Sequence, residues 1–141
     1  MKISSNIQFD TLNKILARRG LEEKGKVQKF VDSEVLRLSE DYTPALNFDL
    51  TRSGVTGTKI GSGVVEYNAP HARYQYYGKL MVSSVTGSAF ANKGEKKVLT
   101  NIKLKYNTSK HSRAGSFWFE RMKADRLNDI LSGAIKIAGG K

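Results

Sequence analysis

The chain has 141 residues, with 24 lysines and arginines against 13 acids, and no cysteine. That length supports one domain with a real core, expected to span 1–141, and the missing cysteine excludes a disulfide framework and thiolate chemistry. The formal charge of +11 predicts an anionic neighbour such as DNA, a strongly acidic partner, or a well-solvated surface. An apolar share of 39% beside an ordinary charged share of 26% argues against a disordered chain. No stretch reaches the apolar length that crosses a bilayer, and MKISSNIQF lacks the apolar core of a signal peptide, so no membrane association is expected.

In chain order, Asp10 can cap a short helix through Leu12, Ile15 and Leu16, which Gly20 stops. The run LEEKGKVQKFVDSEVLRLSEDY (residues 21–42) sets Val27, Phe30, Val31, Val35 and Leu38 at helical spacing. One apolar face predicts a helix that lies on something, ended by Pro44. Residues 45–63 read as loop: LTRSGVTGTKIGSG carries four glycines among Ser and Thr, with a short strand expected near 57–60. Val64 to Tyr67 is β-prone, Asn68 and Pro70 turn the chain, and residues 71–77 make about two turns of helix before Gly78. Residues 80–85 and 98–106 read as strands, with 87–97 the tip of a long loop or β-excursion. Ser116 is placed to cap a last helix carrying Phe117, Trp118, Met122, Leu127, Ile130, Leu131 and Ile135. The order predicts an α+β fold: a small antiparallel sheet covered by N-terminal and C-terminal helices, with a long central loop.

The residues that would carry catalysis are scattered. His71 and His111 are the only histidines, with no HxxxH or HExxH spacing. TGTKIGSG (residues 56–63) lacks the GxxxxGK[ST] spacing of a phosphate loop, and Gly61-Ser62-Gly63 is not a nucleophile elbow. Glu66, Glu95 and Glu120 do not cluster in sequence as nuclease carboxylates would. No catalytic residue, metal site or cofactor is expected.

The positive charge concentrates in residues 78–113, which hold eight Lys or Arg against one acid, Glu95. Lys93, Lys96, Lys97, Lys103 and Lys105 are the candidate DNA-facing residues. Just before them stands YNAPHARYQYYG (residues 67–78), with four tyrosines and no acid. It can stack on bases, hold a metal through His71, or dock as a packed strand–turn–helix element. On a helix Tyr74 and Tyr77 share one face. That face is expected to pack inward, with Tyr67, Tyr74, Trp118 and Phe119 as core anchors. Tyr76 is expected outside, and Arg73, Tyr76 and Tyr77 are candidate subunit contacts.

The blocks YTPALNFDLTRSG, VVEYNAPHARYQYYG and LKYNTSKHSRAGSFWFERMKA together resemble a family of tailed-bacteriophage minor capsid proteins, similar to the tail-completion or head–tail joining proteins of siphophages. They span most of the chain from Tyr42 onward. The resemblance implies a small α+β subunit of the neck, forming a ring, commonly hexameric, around the channel through which DNA passes. It implies a virion location at the head–tail interface, host cytoplasm during assembly, and contacts with other neck, connector and tail proteins. No catalysis is implied. In such a ring the lysines of the long loop would line the bore through weak contacts without sequence specificity. The alternative is a non-specific nucleic-acid-binding module, which a mass measurement would separate from a ring.

Overall fold

A computed structural model describes residues 14–22, 24–45 and 48–139 of the chain. Residues 14–18 are helical and Gly20 follows them. The expected cap Asp10 and the apolar Leu12 lie outside the described residues. Helix α1, Lys26–Ser39, begins five residues later than its apolar run. Gly25 is extended there, and the chain folds back so that the Val27 amide donates to the Gly20 carbonyl at 3.0 Å. Val31, Val35 and Leu38 supply the inward face. A 3-10 turn, Glu40–Tyr42, prolongs the helix until Thr43 turns extended before Pro44, as the ring of a following proline requires.

The glycine-bearing stretch expected as loop with a short strand at 57–60 instead forms helix α2, Asp49–Gly57. Leu50, Ser53 and Gly54 make a buried stripe at helical spacing, and the Ser53 hydroxyl donates to the Leu50 carbonyl at 2.7 Å. A Cβ on Gly54 would lie 2.6 Å from Cε1 of Tyr67. The glycine that weakens the helix locally therefore admits the ring that packs on it, and tertiary contact overrides propensity. Residues 64–67 are extended but join no ladder. The Glu66 amide bonds the Thr58 hydroxyl at 3.0 Å instead of a neighbouring strand.

Helix α3, Ala72–Tyr77, ends at Gly78, whose φ of 72° is the left-handed geometry of a helix C-terminal glycine. Strand β1, Lys79–Ser83, pairs antiparallel with β2, Lys97–Lys103, with an irregularity between Lys79 and Met81. Both strands are shorter than their apolar runs. After Ser83 its own hydroxyl accepts from the Val85 and Thr86 amides, which turns the chain out of the ladder. Residues 84–96 form the expected excursion. Helix α4, Trp118–Ile137, is not capped by the Ser116 side chain. Phe117 precedes it at φ 51°, and the Phe117 amide donates to the Tyr76 carbonyl at 2.8 Å. That bond to α3 fixes the helix start in place of a cap.

The fold is α+β, with a two-stranded antiparallel sheet. Its layers differ from the expected ones. The long helices α1 and α4 pack on each other, and it is short α3 that packs on β1. The core lies between helices: Leu38, Tyr42, Leu50, Ala72, Trp118, Met122 and Ile130 form one cluster. The hairpin stands beside that core. β2 is exposed along its length except at Thr100, whose hydroxyl donates to the Leu80 carbonyl at 2.7 Å.

Candidate functional site

Two features stand out among the described residues: an aromatic groove over the core and a basic hairpin arm beside it. The groove is organised by Trp118, only 2% exposed. Tyr76 meets its ring edge-to-face at 4.7 Å and Tyr67 at 5.3 Å. Tyr76 also touches Tyr77 at 5.6 Å and Phe117 at 5.4 Å. These are the offset and T-shaped geometries that aromatic quadrupoles favour.

This arrangement corrects two expectations. On α3 the inward face is Ala72 and Tyr76, one helical turn apart, and not Tyr74 and Tyr77. Small Ala72 lets the helix close on the core, so the ring one turn later follows it inward. Tyr74 turns toward the arm instead, with its ring 6.3 Å from His71 and 5.8 Å beneath Nζ of Lys97. Tyr77 and Arg73 are exposed. On α4 Trp118 and Met122 share the buried face, so Phe119, about 100° around the helix, is left 40% exposed and is not a core anchor.

The groove has a volume of 620 Å³ and runs from Val31, Asp32 and Val35 of α1 past Tyr67 and Tyr76 to Tyr77 and Phe119. Its floor holds a buried carboxylate. Asp32 is 2% exposed; it accepts from the Gln28 amide at 2.8 Å and from the backbone amides of Gly61 and Gly63 at 2.8 and 3.0 Å. Gly61 and Gly63 have φ of 94° and 79°, which side chains disfavour. The glycine loop that falls short of a phosphate-loop spacing does cradle an anion, and the anion is the protein's own. The sequence signal was an acid inside the Val31–Val35 stripe, opposite nothing basic.

A second network ties the segment before α4 to the 3-10 turn. The Tyr42 hydroxyl donates to Asp125 Oδ2 at 2.7 Å and accepts from Arg113 Nη1 at 2.5 Å. Arg121 donates to the carbonyls of Ser116, Arg113 and Tyr42. Buried His111 donates Nδ1–H to the Thr43 carbonyl at 2.7 Å, and its Nε2 lies 4.0 Å from Glu40. This is a structural histidine. Among the described residues no three His, Cys, Asp or Glu converge as metal ligands, and no helix is long and apolar enough to cross a membrane.

Burial pushes the phenol pKa of Tyr67, Tyr76 and Tyr106 upward; at Tyr76 the nearby Glu120 adds to this, and at Tyr106 Arg121 opposes it. A raised value in the fold means that stability is intact below the unfolded value of about 10 and is lost as pH rises through the folded values. We expect the midpoint of denaturant unfolding to fall above pH 10, with phenolate absorbance appearing together with the loss of structure. A midpoint that stays level through that range would contradict these burials.

The arm carries the lysines. Lys93 and Lys96 lie in the excursion, Lys97 and Lys103 at the two ends of β2, and Lys105 just beyond it, and all five are exposed. Between them the arm also exposes Val85, Val98, Leu99 and Ile102, and Phe90 is 87% exposed. The pattern of apolar side chains among lysines went unremarked in the sequence because each strand read as half-buried. Comparison with protein families, curated proteins and solved structures gave no match.

Proposed function

We propose that the chain is a structural, ring-forming subunit of a bacteriophage neck, joining the head connector to the tail and lining the channel for DNA. The observation that carries this reading is the arm. A two-stranded hairpin is marginal in water on its own, and this one leaves Val98, Leu99, Ile102 and Phe90 exposed. Such a surface belongs against another protein. The three sequence blocks that resemble head–tail joining proteins support the particular assembly, and a ring needs the heterologous contact that a projecting arm supplies. The role requires neither catalysis nor a cofactor. Its partners are further copies of the chain, other neck, connector and tail proteins, and DNA held without sequence preference.

Particle mass by light scattering across a concentration series tests the reading: a closed oligomer supports it, and a monomer at assembly-relevant concentration overturns it. The exposed lysines favour a second reading, a non-specific nucleic-acid-binding module, which predicts DNA binding by the monomer. Changing Lys93, Lys96 and Lys97 together to Gln is expected to leave stability within about 0.5 kcal/mol. It is expected to lower the slope of log affinity against log salt by roughly one for each lysine that meets a phosphate. An unchanged slope in the oligomer would remove these lysines from the channel wall.

A further inference from the structure

We propose that the tip of the arm, led by Phe90, docks into the aromatic groove of a second copy of the chain. This rests on the ring reading and adds the contact that builds the ring. The chain carries both halves of a knob-and-hole pair and satisfies neither by itself. The knob is Phe90, flanked by Ala89 and Ala91, whose small side chains let the backbone come close to an opposing surface. The hole is the groove between α1, α3 and the start of α4, with 620 Å³ of space and walls of valine and aromatic rings. That volume holds more than one side chain, so Phe90 and a neighbour such as Val85 fit together.

The charges match in the same sense. Lys93 and Lys96 follow Phe90 on the arm. At the groove, Glu120 lies close enough to Tyr76 to act on its phenol, and Asp32 forms the floor. A basic tip is therefore drawn toward a groove with carboxylates at its lip and base. Arg73, also lining the groove, offers donors to the open backbone edge of the arm. A knob on one surface and a hole on another give a heterologous contact, which repeats head to tail and closes into a ring.

The absence of cysteine makes the test clean. Ala89→Cys and Tyr77→Cys are prepared as separate full-length variants, mixed and oxidised. A disulfide-linked heterodimer that forms in the mixture, at yields above those of either variant alone, is the expected result. In parallel, Phe90→Ser should raise the concentration for half-assembly about tenfold or more, the effect of losing one buried phenylalanine side chain. It should leave the unfolding midpoint of the monomer unchanged, because Phe90 touches little in its own chain. Oligomers that form without the crosslink and ignore Phe90→Ser would overturn the arm–groove contact while leaving the ring intact. A chain that stays monomeric and uncrosslinked at every concentration would overturn both. If the groove instead takes a segment of another neck protein, the oligomer would again form without the heterodimer, and the proposal would fail.

Discussion

Replacing Trp118 with alanine is expected to cost about 3–5 kcal/mol of stability. Three observations set that size. The indole is almost fully buried at the first turn of α4. Tyr67 and Tyr76 each present an edge to it, and such aromatic pairs add about 0.5–1.5 kcal/mol beyond area burial. It also joins α4 to the α3 region, since Tyr76 and Phe117 meet in the same cluster. The neighbouring groove lets water reach part of the space left behind, which draws the loss toward the lower end of the range. Guanidinium titration followed by circular dichroism measures it, because the change removes the only indole. Phe119→Ala, one residue on and well exposed, serves as the control and should cost far less. A loss at Trp118 below about 1 kcal/mol would place that residue at the periphery.

Asp32→Ala should be the most damaging change of a charged residue, at about 2–4 kcal/mol. A hydrogen bond to a charged group contributes about 1.5–3 kcal/mol, and a buried donor left without a partner costs about 1–3 kcal/mol. Here one carboxylate serves Gln28, Gly61 and Gly63 at once, so alanine orphans the buried Gly61 amide and frees the glycine loop from α1. Asp32→Asn separates charge from geometry. Its amide oxygen can accept from the two glycines while its NH₂ donates to a turned Gln28, which keeps the bonds and loses the charge. Its cost should fall near 1 kcal/mol. Equal losses for the two variants would mean that the charge, and not the acceptor geometry, holds the loop. Limited proteolysis should cut near residues 58–63 in Asp32→Ala before it cuts the native chain.

What was legible in the sequence was what one residue type settles locally. Gly78 stops α3 because its backbone takes φ 72°. Trp118 is buried because no other residue in that segment offers as much apolar area. The two apolar runs around a glycine-rich excursion make the hairpin. What was not legible depends on partners distant in sequence. α2 forms from a glycine-bearing stretch because Tyr67 packs on Gly54. Tyr76 turns inward because Ala72, and not the larger Tyr74, meets the core. The sheet lacks its expected helical cover because α1 and α4 find each other. The Asp32 clamp needs Gly61 and Gly63 in left-handed geometry, which spacing alone does not announce.

The base of the arm is fastened at several points. The Leu104 amide donates to the Gly78 carbonyl at 2.9 Å, and the Tyr106 hydroxyl to the Gln75 carbonyl at 2.5 Å. The Phe117 amide holds Tyr76, and a Cβ on Gly78 would lie 2.9 Å from that of Ser116. A lever fixed so firmly at its pivot takes its direction from the body. For a subunit that grips its neighbour through that lever, the rotation from one copy to the next is set at the pivot, and the far end determines only how tightly it grips. A closed circle requires that rotation to divide a full turn, and a small error opens it into a spiral. The number of copies in the circle is thus written in the packing around Gly78, Tyr106 and Ser116, and substitutions there would change curvature before they changed affinity.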